Sequence, residues 1–143
     1  MQTQNKYSSQ KKIATLWLVF SFLILGLFVL LSLSRHSEDS SEEWTWLLSQ
    51  LSPGLSAISG SLIYSATNQS KISEQKIDKF FTRIVMLVSM VYLSILTGLI
   101  LSIPFAENQD IKILDHLTSL SLLVTFMQAI VLGLLGIFFA KTN

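Results

Sequence analysis

The sequence predicts an all-α membrane protein: four transmembrane helices in an antiparallel up-down bundle, with both termini on the cytoplasmic side. Three observations carry that expectation. Three long stretches hold no ionised side chain, a fourth is uncharged but rich in serine, and Lys and Arg gather in alternate connecting segments. Half of the 143 residues are apolar and only 13% are charged. Soluble domains carry about 25% charged residues, so much of this surface does not face water.

A short tail, residues 1–12, precedes the first span at 13–33. At 1.5 Å rise per residue, a run of that length crosses about 30 Å of hydrocarbon. It is longer than a signal-peptide core and no A-x-A site follows it, so retention is expected. The second span, 46–66, is the most polar. It contains Gln50, Pro53, Gly54, Gly60 and several serines, but no charge. Pro53 is compatible with a membrane helix if neighbouring groups satisfy the carbonyl it frees. The third span, 84–103, stops at Pro104, which lacks the N–H that a helix interior needs. The fourth, 117–140, ends before Lys141 and the tail 141–143.

Charge sets the orientation, because cytoplasmic loops carry excess Lys and Arg. Lys6, Lys11 and Lys12 lie in the first tail, and Lys71, Lys76, Lys79 and Arg83 in the segment 67–83. With Lys141, one side holds eight basic residues. The other holds only Arg35 and Lys112, beside acids such as Glu38, Asp39, Glu107 and Asp110. That alternation requires the second span to cross. Trp44 and Trp46 then fall at the outer interface and Tyr64 near the inner one, where amphipathic rings anchor. The sequon at Asn68 would face the cytoplasm, unglycosylated.

Within lipid, helices associate by close packing and interhelical hydrogen bonds. Small residues at four-residue spacing mark faces that permit it. The second span carries Ser52, Ser56 and Gly60, the third Ser94, Gly98 and Ser102, and the fourth Ser121, Thr125, Ala129 and Gly133. These rows serve packing within one chain or between chains. The Leu- and Phe-rich first span is expected to face lipid most.

Gln50 and Gln128 are the two amides at membrane depth, suited either to bridging helices or to lining a narrow pore. The stretch 73–83 reads as a helical extension of the third span, capped by Ser73. Its Lys76, Lys79 and Arg83, with Lys71 before them, suit anionic headgroups, while Phe80 and Phe81 offer a docking surface for a cytosolic partner.

Several function classes lose support. With no cysteine, thiolate metal sites, iron–sulfur clusters and cysteine nucleophiles are excluded. No ionisable residue lies in any span, which counts against proton-coupled transport. His36 and His116 both fall at the outer boundary and read as solvated loop residues rather than metal ligands. No phosphate loop or nucleophile elbow is present, and the net charge of +1 gives no reason to expect nucleic acid. The expectation is a non-enzymatic, cofactor-free protein of the bacterial inner membrane. Its partners are lipid and either copies of itself or another membrane protein. The runner-up is an oligomeric pore, and a small solute transporter is a weaker third.

Overall fold

Asn5 starts the first helix. In a computed structural model, which describes residues 3–33, 40–68, 72, 76–107, 109 and 111–140, its Oδ1 accepts the backbone N–H groups of Tyr7 at 2.9 Å and Ser8 at 3.4 Å. Those donors have no partner inside a helix, so the cap satisfies them. Helix α1 runs Lys6–Leu33, beginning before the charge-free stretch. Ile13, Ala14, Trp17, Ser21, Ile24 and Phe28 are buried along it at three- and four-residue steps. That spacing makes one inward stripe.

Helix α2, Ser40–Thr67, continues through Pro53. Glu42 and Glu43 lie in its first turn, where the helix dipole favours acids. Helix α3, Lys79–Leu101, begins on Asp78, whose Oδ1 accepts the Phe80 N–H at 3.0 Å. It ends at Ser102. Helix α4, Ile103–Glu107, then takes Pro104 into its first turn, where a missing N–H costs no hydrogen bond. The last apolar stretch divides into α5, Ile113–Ser119, and α6, Ser121–Ala140. Leu120 separates them with φ −105° and ψ 17°. Thr118 and Ser119 donate to the carbonyls of Leu114 and His116, at 2.8 and 2.6 Å, just ahead of the break. Such back-bonding competes with the helix ladder.

The extension before α3 departs from expectation. Asp78, not Ser73, caps the helix, and Lys76–Asp78 form a strand. This strand, β2, pairs antiparallel with β1, Thr3–Asn5, in the register Thr3 to Asp78, Gln4 to Ile77 and Asn5 to Lys76. A partner strand distant in sequence overrides the local helical pattern. Ser73 itself lies outside the described residues.

The fold is therefore all-helical apart from one short ladder. Three helical runs are long and apolar enough to cross a membrane: Lys6–Leu33, Lys79–Glu107 and Ser121–Ala140. Helix α2 matches them in length but is more polar. It packs against α1 and α6, and α3 packs against the same two, so each long helix has two neighbours. The outer surface is strongly apolar: Phe22 is 72% exposed and Leu122 87%. Interior positions include Ser21, Ser89 and Tyr92. A water-soluble fold would reverse that distribution.

The elements recur along the chain. A shift of 73 residue numbers carries β1 onto β2 and Asn5 onto Asp78. It carries 6–33 onto 79–106, and 40–67 onto 113–140. The caps recur in detail: Ser9 Oγ donates to the Asn5 carbonyl at 3.0 Å, and Thr82 Oγ1 to the Asp78 carbonyl at 3.2 Å. The fold is thus built from two strand–helix–helix units.

Asp78→Ala removes the α3 cap and is expected to cost about 1 kcal/mol in denaturant-induced unfolding in mild detergent micelles, while Asp78→Asn keeps most of it.

Candidate functional site

Proline in the middle of α2 organises the interior. Pro53 has no N–H for the carbonyl four residues earlier, that of Ser49, and its ring pushes that turn open. Helix α6 supplies the missing donor, and α3 adds a bond to the next carbonyl. Gln128 of α6 donates through Nε2 to the Ser49 carbonyl at 3.2 Å and to the Gln50 carbonyl at 3.1 Å. Tyr92 of α3 donates its hydroxyl to the Gln50 carbonyl at 2.8 Å. One carbonyl oxygen has two lone pairs, so Gln50 serves both donors.

The fourth helix joins through packing. Trp17 of α1 lies so close to Gly54 that any side chain there would overlap its ring. The Trp17 and Tyr92 ring centroids are 6.0 Å apart. Both residues are fully buried. All four long helices therefore meet at the Pro53–Gly54 break. Interhelical hydrogen bonds in membranes average about 0.6 kcal/mol and reach about 1.7. Three such bonds and the ring contact hold α2 to its neighbours.

Polar atoms remain around this junction. The Gln50 side chain reaches Ser49 Oγ at 3.3 Å through its amide nitrogen, while its Oε1 is buried without a partner. Trp17 Nε1, Ser21 Oγ and Ser89 Oγ are also buried and unpartnered among the described residues. None of these is a base or an activated nucleophile. Among the described residues no group of His, Asp or Glu is placed to hold a metal ion. His116 instead meets Ser102, with Nε2 2.7 Å from Oγ. Ser102 Oγ also lies 2.7 Å from the Leu99 carbonyl, so the hydroxyl sits between the histidine and its own helix. His36 lies outside the described residues.

The small-residue rows point outward. Ser52, Ser56, Gly60, Ser94, Gly98, Thr125, Ala129 and Gly133 are exposed, and Ser121 and Ser102 are half-buried. A methyl group added at Gly60, Gly98 or Gly133 would meet nothing within 4 Å. Of these residues, Ser102 makes a side-chain hydrogen bond to another element, at His116. The rows therefore do not hold this chain together; Leu51, Ile58, Val131 and Leu135 do, from the opposite helix faces. The first helix is also less singular than expected. Its most apolar window and that of α6 are buried to the same 22%.

At the strand end of the bundle, Lys76, Phe80 and Arg83 are exposed. Phe81 turns inward, with its ring centroid 6.2 Å from that of Phe138. The two phenylalanines thus do not form one surface. Lys79 is half-buried and engaged, and Lys71 lies outside the described residues. Lys6 is buried where β1 enters α1, and loss of hydration holds its ammonium below the usual lysine pKa. Of the tryptophans expected at the outer interface, Trp44 packs edge-on against Phe28 at 4.7 Å and Trp46 is buried. Tyr64 is exposed.

Sequence reasoning singled out Gln50, Gln128 and the Pro53–Gly54 interruption, but not Tyr92 or Trp17. The available signal was the proline itself: a carbonyl freed inside a helix needs a donor from elsewhere. In comparisons with known proteins, no family model matches the chain, and no curated protein or solved structure resembles it.

Gln128→Leu and Tyr92→Phe are each expected to cost about 0.6–1.7 kcal/mol in detergent unfolding. Pro53→Ala restores an internal donor to Ser49, so Gln128→Leu should cost less in that background. Equal costs in both backgrounds would separate Gln128 from the proline.

Proposed function

We propose that the chain is a non-enzymatic, four-span membrane protein acting as a structural or accessory helix bundle that associates with copies of itself or with another membrane protein. The observation that carries this reading is the outward placement of its close-packing rows. Ser52, Ser56 and Gly60 on α2 and Thr125, Ala129 and Gly133 on α6 are exposed and correspond under the 73-residue shift. In lipid, such rows let another helix approach closely, and dispersion contacts then drive association.

Topology follows the same evidence. Helix α2 is long enough to cross, lacks charge over 46–66, and is hydrogen-bonded at mid-length to two apolar neighbours. Pairing of β1 with β2 puts the N-terminal tail and the segment before α3 at one end. That end also carries most of the Lys and Arg, which favours the cytoplasm. A bacterial inner membrane is the default setting. Lys76 and Arg83 face anionic headgroups there, with Phe80, 69% exposed, at the interface.

A second reading, an oligomeric pore, draws on the exposed hydroxyls of Ser52 and Ser56. Copies joined along α2 would turn these toward a shared axis. Gln128 contributes less to that reading, because its amide is committed to the α2 carbonyls. Collapse of membrane potential on expression would favour the pore, and an unchanged potential at high membrane levels the scaffold.

The chain has no cysteine, so introduced cysteines report without background. Ala129→Cys and Ser56→Cys are expected to form disulfide-linked dimers under mild oxidation in membranes, and the lipid-facing control Phe22→Cys is not. Uncrosslinked Ala129→Cys and Ser56→Cys would remove the self-association reading. For topology, Ser37→Cys should react with a membrane-impermeant maleimide in intact cells, and Ser70→Cys only after permeabilisation. Labelling of both from outside would contradict a crossing α2.

A further inference from the structure

A groove of about 610 Å³ runs along the outer side of α1, where α3 forms its second wall. Its polarity changes with depth. Ser8, Lys11, Lys12 and Thr15 line the end nearest the N-terminus. Leu16, Val19 and Phe20 line the rest, with Met86 of α3 across from them. Lys12 to Phe20 is eight residues, roughly 12 Å along the helix axis. The basic end therefore lies at headgroup level if the first span begins at Ile13, and the apolar end lies among acyl chains.

The charge at the mouth is one-sided. No acid lines the groove, and none occurs anywhere in residues 1–12. Lys11 and Lys12 are both exposed, as are the hydroxyl-bearing Ser8 and Thr15. Thr15 Oγ1 donates to the Lys11 carbonyl at 2.9 Å, which leaves its oxygen lone pairs facing the groove rather than a donor. The two ammonium groups are thus the cations at the mouth, with the Ser8 hydroxyl beside them. Below them, an unbranched chain fits between Val19 and Phe20 on one wall and Met86, a side chain that adapts to its neighbour, on the other.

We propose that this groove is a binding site for one anionic phospholipid, with the phosphate on Lys11 and Lys12 and one acyl chain along Leu16, Val19, Phe20 and Met86. The site is separate from the basic face at Lys76 and Arg83, and from the small-residue rows of α2 and α6. It rests on the membrane assignment of α1, which the apolar run of that helix carries, and not on self-association or on the crossing of α2.

The test is native mass spectrometry of the full chain released from nanodiscs holding equal amounts of phosphatidylglycerol and phosphatidylcholine. One phosphatidylglycerol per chain is expected to stay bound, preferred over phosphatidylcholine by on the order of tenfold, since each basic residue near an anionic surface adds about 1 kcal/mol. Lys11→Gln with Lys12→Gln should bring the preference close to one, and the paired Arg variants should keep it. Val19→Trp, which fills the groove below intact lysines, should remove the retained lipid altogether. Lys76→Gln with Arg83→Gln leaves every lining residue in place and should keep the one retained phosphatidylglycerol. Helical circular dichroism of every variant verifies folding. Equal retention of both lipids, an unchanged preference in the double Gln variant, or full retention in Val19→Trp would each overturn the proposal. Loss of lipid in the Lys76 and Arg83 variant would do the same, by moving the headgroup site to the other basic face.

Discussion

The carbonyl of Ser49 loses its helical donor to Pro53, and the bundle is arranged around that constraint. An unsatisfied backbone group in hydrocarbon costs several kcal/mol, far more than any single helix–helix contact returns. Pro53 creates the need and Gln128 meets it from α6, while Tyr92 of α3 and the same Gln128 amide bond the next carbonyl, that of Gln50. Once these donors are fixed, α2 cannot rotate or slide without breaking them. Gly54 then decides how near α1 can come, because Trp17 occupies the space a side chain would need. A local defect in one helix thus sets the relative positions of four.

The remainder of the molecule is organised by where polarity is placed. Large apolar side chains cover the outside, and hydroxyls, amides and indole groups are gathered within. The rows Ser52, Ser56, Gly60 and Thr125, Ala129, Gly133 are the exception, since they are exposed, and a methyl group added at Gly60 or Gly133 would meet nothing within 4 Å. Inward faces use Leu, Ile, Val and Phe instead. A helix that packs inward on large side chains and carries a row of small ones on its outer face is equipped to meet another helix. The repeat of that arrangement in α2 and α6 gives two such faces. This supports a scaffold role more directly than a chemical one.

Much of the fold was legible in the sequence. Uncharged runs are a strong signal, and the cores of α1, α3 and α6 fall where hydropathy puts them. Boundaries were less legible. Helix α1 begins at Lys6 because Asn5 caps it, and a cap extends a helix without changing hydropathy. The strand at Lys76–Asp78 depends on a partner more than seventy residues away, which no local pattern encodes. Small-residue spacing identified the rows but not the direction they face, since either use gives the same spacing. Gln128 was visible as an amide at depth. Its acceptors were not, because the freed carbonyl belongs to the backbone and every residue has one.

The most direct test of this account is the infrared stretch of a single ¹³C=¹⁸O label at the Gln50 carbonyl, in the protein reconstituted in lipid. A carbonyl accepting from both Tyr92 and Gln128 absorbs at lower frequency than the same label at an ordinary helical position such as Ile24, and moves upward in Tyr92→Phe. A Gln50 band coincident with that reference, and unmoved by Tyr92→Phe, would contradict the claim that donors from α3 and α6 fasten α2 beside the proline break.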